Sequence, residues 1–209
     1  MTKNCLRQSN VFCNKLKENE VNSSMKYFFL VILLLFSACS QLPPLPTTPA
    51  SHLDSWRLTA RIAILTGQDS WIAKMYWHQQ GTTYQIRLNG PTGQGAFVIK
   101  GNDKKVTIRT AEQKTFQAPD PDTLIQKVLK LEIPVSHLNA WIRGLPDPNS
   151  APESYTLNQA GKLQHLRQAN WRIKYDNYIK VQGIDLPKKI VIENTRFKLK
   201  IAISQWDIK

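Results

Sequence analysis

The chain has 209 residues, 42% of them hydrophobic, and a formal charge of +13 from 28 basic and 15 acidic side chains. That length allows one ordinary domain with a substantial core, and the charge favours an anionic partner, whether nucleic acid, a membrane surface or an acidic protein. The three cysteines, Cys5, Cys13 and Cys39, all lie near the start, which excludes a disulfide framework in the body of the chain.

Residues 1–24 are polar and have no apolar periodicity, so an upstream extension is expected there, with Met25 as the true initiator. From Met25 the pattern is that of an export signal. Lys26 supplies the positive charge, Tyr27 to Phe36 are continuously apolar or aromatic, and Ser37 and Ala38 are small residues just before Cys39. A permanent span needs about 20 apolar residues, roughly twice this run, so residues 25–38 read as a cleaved signal. Phe36-Ser37-Ala38-Cys39 resembles the box at which bacterial lipoproteins are acylated on cysteine and cleaved before it, with Phe36 where Leu is usual. Ser40, in place of Asp, resembles the signal for release to the outer membrane. Cleavage before Cys39 removes five basic and two acidic residues, leaving 171 residues at +10. Export argues against nucleic acid. The remaining cations, such as Arg57, Arg61, Lys198 and Lys200, alternate along strands and read as solvated outer faces.

Residues 39–54 read as a tether, because Gln41 to Ser51 hold four prolines and no charge. Residues 55–209 read as one folded domain. Leu58, Ala60, Ile62 and Ile64 alternate with polar residues, as do Trp71, Ala73, Met75 and Trp77 after a turn at Gly67–Asp69, predicting a hairpin. Tyr84, Ile86 and Leu88 share a face, and a glycine-rich connection from Asn89 to Gly95 leads to Phe97 and Ile99. Val106 and Ile108 follow, with a short strand within Gln113–Gln117. Pro121 to Leu131 has helical spacing, with Asp120 as N-cap and Pro134 as its stop, and Ser136 is placed to cap a second helix carrying Leu138, Trp141 and Ile142. Strand signals resume at Tyr155–Leu157, Leu163–Gln168, Trp171–Tyr175, Ile179–Val181, Ile190–Ile192 and Phe197–Ile203, with turns expected at Asp176-Asn177 and Glu193-Asn194. The sum is ten to twelve short antiparallel strands with a helical insertion, a strongly curved sheet or open barrel capped by helices.

Nothing in the sequence has the spacing of a catalytic or metal site. His52, His78, His137 and His165 have no close carboxylate or cysteine partners at metal-ligand spacing, and none sits in an HxxxH pair. Gly90 to Gly95 lacks the Lys-Ser/Thr ending of a phosphate loop, and there is no GxSxG elbow. Asp120 and Asp122 sit where capping explains them. No enzyme activity, cofactor or metal is expected. Trp71, Met75, Trp77, Tyr84, Phe97, Trp141 and Phe197 fall on inward registers. Periodicity alone leaves open whether they fill a core or line a cavity.

Ile133 to Pro146, IPVSHLNAWIRGLP, resembles the LolB family of outer-membrane lipoprotein receptors, as do Tyr76-Trp77, the Asn89–Gly95 loop and the terminal Trp206-Asp207-Ile208-Lys209. The resemblance implies an α+β, mainly β fold: an incomplete antiparallel barrel of about eleven strands, with helices forming a lid over a hydrophobic cavity. It implies a monomer that accepts acylated lipoproteins from the periplasmic carrier LolA and inserts them among outer-membrane lipids without nucleotide hydrolysis. Cys39 would carry the anchor. The acyl-chain cavity would be lined by Ile62, Ile64, Trp71, Met75, Trp77, Tyr84, Ile86, Phe97, Ile99, Leu124, Val128, Leu138, Trp141, Phe197, Leu199 and Ile201. Gly90, Pro91, Thr92 and Gly93 would form a membrane-release loop, with Thr92 at the position where the family commonly shows an apolar tip. The alternative is a generic outer-membrane lipoprotein that binds another apolar ligand or a protein partner.

Overall fold

A computed structural model describes residues 45, 48–67, 69–90 and 96–209. Cys39, the signal segment, Pro91, Thr92 and Gly93 lie outside the described residues. The strands are β1 (Ser55–Leu65), β2 (Ser70–Gln80), β3 (Thr83–Asn89), β4 (Phe97–Gly101), β5 (Val106–Arg109), β6 (Thr115–Ala118), β7 (Ser154–Leu157), β8 (Leu163–Gln168), β9 (Trp171–Val181), β10 (Ile184–Glu193) and β11 (Lys198–Ile208). Two helices, α1 (Pro121–Leu129) and α2 (Val135–Ile142), separate β6 from β7.

All eleven strands join one sheet in the order β6-β5-β4-β3-β2-β1-β11-β10-β9-β8-β7. Each half is a meander of neighbouring strands, and the halves meet where the first strand pairs antiparallel with the last. β6 and β7 are left as edges, so the barrel is incomplete, and the chain between them is the helical segment. That segment crosses the inner face: α1 packs on β5 and β6, while α2 reaches β8 and β9 through the Trp141 and Tyr175 hydrogen bonds. The expected mainly β, α+β architecture is present, with Leu45–Lys209 as one compact unit.

Period-two patterning explains the inner face. β1 alternates buried Trp56, Leu58, Ala60, Ile62 and Ile64 with Arg57, Thr59, Arg61 and Ala63, and β2 buries Ala73, Met75, Trp77 and Gln79. Indole packing closes one end, with Trp56 5.2 Å from Trp77 and 5.4 Å from Trp206, ring centre to ring centre. Gly101 is required at the end of β4, because the Tyr84 ring lies where its Cβ would stand.

Four local expectations need correction, and the stretch read as a tether holds a turn: Pro49–His52 form a 3-10 turn, with Ala50 and Leu53 buried. Two carbonyls hold it, since Arg143 Nη1 donates to Ala50 O at 3.1 Å and to Leu53 O at 3.3 Å. Asp176-Asn177 is not a turn but part of the continuous strand β9. The reversal comes at Gln182-Gly183, both at positive φ, the geometry of a two-residue hairpin. Accordingly β10 begins at Ile184, before the stretch Ile190–Ile192. α1 stops at Leu129, where Lys130 turns left-handed at φ 57° and donates its N–H to Gln126 O, before Pro134 is reached. Ser136 does not cap α2, since Pro134 holds that position. Its N–H and hydroxyl instead donate to the Asp122 carboxylate at 3.0 and 2.5 Å, tying α2 to α1. Asp120 does cap α1, accepting from Thr123 N at 2.7 Å, and hydrogen bonding from the Thr123 side chain, helped by the backbone N–H groups of Thr123 and Asp122, holds its carboxyl below the usual carboxylate range.

Candidate functional site

Between the sheet and the helical segment lies a cavity of about 290 Å³ lined by apolar and aromatic side chains. Cross-strand neighbours build its sheet wall. Leu199, Ile64 and Trp71 lie side by side across β11, β1 and β2, and Ile201 lies beside Ile62. Met75, Leu88 and Phe97 form a row across β2, β3 and β4, and Trp77, Ile86 and Ile99 form the next. Trp71 meets Phe97 edge-on at 6.4 Å. Ala60 and Ala73 occupy buried inward registers of the same two strands, beside Met75 and Ile62. Ile125 and Leu129 of α1, Leu131 and Ile133 of the interhelix linker, and Val135 and Leu138 of α2 form the opposite wall.

The structure brings together Ile62, Ile64, Trp71, Met75, Trp77, Ile86, Phe97, Ile99, Leu138, Leu199 and Ile201 around this cavity, as the sequence reading grouped them. Five others lie elsewhere. Tyr84 sits over Gly101, where burial and the charges of Asp122 and Asp120 push its hydroxyl pKa up to about 12. Leu124 is buried, and Val128 lies on the same side of α1, away from the cavity. A step of about 100° along a helix separates them from Ile125 and Leu129, which face the cavity. Phe197 packs beside the Asn194 turn, donating its N–H to Asn194 Oδ1. Trp141, fully buried, fills the other half of the sheet. Leu88, Ile125, Leu129, Leu131, Ile133 and Val135 were not in the sequence-based set. Leu88 shares the alternation of Ile86, and the i, i+4 spacing of Ile125 and Leu129 was the available signal for those two.

The Trp141 half is built differently. Gln168, with no exposed surface, accepts from Trp141 Nε1 at 2.7 Å and Asp147 N at 2.9 Å, and donates to Asp147 O at 2.8 Å and Ser150 O at 2.5 Å. Tyr175 donates its hydroxyl to Trp141 O at 3.0 Å, and burial raises its pKa well above the ordinary value. His137 stacks on Trp141 and bonds the buried Asp147 carboxylate. Asp147, ten residues on from His137, is brought to it by the chain reversal after α2. This network positions the Gly144–Asp147 loop and fixes α2 to β8 and β9. Among the described residues no group of three or more His, Cys, Asp or Glu side chains could hold a metal, and no helix is long and apolar enough to cross a membrane.

The family model described as "Outer membrane lipoprotein LolB" matches residues 54–206. An outer-membrane lipoprotein LolB from Marinomonas sp. (strain MWYL1) is 34% identical over 192 residues, covering 88% of this chain and all of that one. Another, from Pseudomonas savastanoi pv. phaseolicola, is 35% identical over 156 residues, covering 75% of this chain and 76% of that one. Among solved structures, a DUF1329 family protein from Desulfovibrio piger is similar with a TM-score of 0.51 at 7% identity, over 77% of this chain and 88% of that one, a likeness of fold alone. With the family model covering most of the open-sheet unit and these relatives spanning three quarters of the chain or more, the chain belongs to the LolB family of outer-membrane lipoproteins.

Proposed function

We propose that this chain is an acyl-chain receptor. Within the family's role in lipoprotein localisation, it is anchored through an acylated Cys39 on the periplasmic side of the outer membrane. It accepts lipoproteins from the soluble carrier LolA, shelters their acyl chains between sheet and helices, and passes them into the bilayer. The observation that supports this reading is the predominantly apolar lining of the cavity, whose side chains include no hydroxyl, thiol, amine or carboxylate. The physical need is large. Each methylene left in water costs about 0.8 kcal/mol, so roughly 30 to 40 of them cost on the order of 25–30 kcal/mol as an upper bound. Transfer needs no nucleotide when affinity rises from carrier to receptor to membrane, because each step is then downhill.

The size of the cavity adds a constraint. At about 290 Å³ it stands at the low end of small-ligand sites, roughly 300–1,000 Å³, so several acyl chains enter only if a wall gives way. The helical wall is the movable one: Leu131 and Ile133 meet the cavity, and the linker between α1 and α2 is held at its surface by the Glu132–Arg196 ion pair. The Gly90–Gly93 loop, with Thr92 at its tip, is proposed to touch the bilayer during release. The deciding experiment is depletion of the protein in its own cell while other lipoproteins are tracked. Carrier-bound lipoproteins stranded in the periplasm are the expected result, and normal sorting would overturn the reading.

A further inference from the structure

The outer face of the sheet carries a run of cations that meet no carboxylate among the described residues. Register places Arg61 directly beside Lys74, and sets Tyr76, Arg87, Val98 and Arg109 in one row across β2 to β5. Arg61, Lys74, Arg87 and Arg109 are all exposed, and none is ion-paired among the described residues. On the opposite half Arg167, Arg172, Lys174 and Lys198 each meet a carboxylate, while Lys189 and Lys200 continue the run of exposed cations beside β1. Like charges directly across a strand pair destabilise a sheet, so Arg61 beside Lys74 opposes folding and needs another explanation. The same strip carries Ile72, 47% exposed, and Tyr76, 38% exposed, two of the few large hydrophobic residues left in solvent. Ile72, Arg61 and Lys74 also share a groove with Asn89 and Gly90.

We propose that this face, formed by Arg61, Ile72, Lys74, Tyr76, Arg87 and Arg109, docks on anionic phospholipid headgroups. Its geometry fits a membrane plane: the cations are spread over four strand spacings, roughly 19 Å, around two side chains of the kind that enter a headgroup layer. A protein partner would call for a contiguous apolar centre, whereas here charges separate the two apolar groups. Each cation at an anionic surface raises partitioning by about fivefold. The inference rests on the anchored reading, since a tethered domain meets the bilayer at high effective concentration and weak contacts then suffice.

The test uses the full-length acylated protein in vesicles of phosphatidylcholine, with or without phosphatidylglycerol, carrying a polarity-sensitive fluorophore on Ile72→Cys. The label should shift to the blue only on the anionic vesicles. The shift should be lost in Arg61→Glu/Arg87→Glu and at high salt, while a label on Gln164→Cys of β8 stays wet throughout. An Ile72 label equally wet on both vesicle types would overturn the proposal, as would drying only when the soluble carrier is added. Transfer of cargo from the carrier to the same protein on phosphatidylcholine vesicles reads the receptor function separately, so failure of one proposal is distinguishable from failure of the other.

Discussion

On the inner face, β1 to β4 with β11 leave about 290 Å³ open beneath α1, the interhelix linker and the start of α2, whereas β8 and β9 are closed over by the Trp141 end of α2. The open half has apolar walls, joined at the rim by the Glu132–Arg196 ion pair. The closed half is fastened by Gln168, Trp141, Tyr175 and Asp147. Directional bonds specify one arrangement and are costly to leave unmade, while non-directional apolar contacts allow neighbours to part and re-form. One half of the sheet thus works as a frame, and the other as a place that can be filled.

The difference is best broken at Trp141. Trp141→Ala should cost about 3–5 kcal/mol, and Gln168→Leu, which strands two donors and two carbonyls, about 2–4 kcal/mol, both read from urea melts of the purified protein. A loss under 1 kcal/mol for either would mean that α2 is not held as described. Next comes a matched pair of enlargements. Leu166→Phe in the closed half should cost about 1–3 kcal/mol by overpacking. Leu88→Phe in the open half should cost less than about 1 kcal/mol because there is room for it, yet reduce cargo acceptance in a transfer assay.

Much of this comparison was not legible in the sequence. Alternation placed β1, β2 and β3 with their inward residues, and Leu163–Gln168 matched β8 to the residue. It could not say which inward residues meet a cavity, because an inward Met75 looks the same whether or not anything lies opposite. Gln168 was a polar residue on an inward register, the one local sign of the network, but its partners Trp141, Asp147 and Ser150 lie far off in sequence. Asp176-Asn177 has the composition of a turn, yet β9 runs through it with only a shift of register, Asn177 pairing with Lys189 and Tyr175 with Ile190, so tertiary pairing overrides local preference there.

Alkaline pH gives a smaller effect. A tyrosine whose pKa is raised by folding contributes stability that is complete below the ordinary value of 10.0 and is lost as pH rises through the folded value, about 12 for Tyr84. Burial raises Tyr175 and Tyr178 in the same direction. Stability should therefore fall above about pH 10, and Tyr175→Phe should flatten that fall while costing about 1 kcal/mol at neutral pH through the lost bond to Trp141 O. A pH profile identical to that of the unaltered protein would remove Tyr175 from the account. The smallest effect belongs to Arg196→Ala, which breaks an exposed ion pair with Glu132 and should change stability by less than about 1 kcal/mol. If that pair restrains the linker, cargo uptake should become faster.

The most direct measurement places a photo-crosslinking side chain at Leu88, in the open half, and at Leu166, in the closed half, and supplies a lipoprotein with and without its acyl chains. Capture from Leu88 that requires the acyl chains, with none from Leu166, is the predicted result. Equal capture of the acylated and unacylated forms, or capture from Leu166 alone, would contradict the claim that the open half of the sheet is where the acyl chains are held.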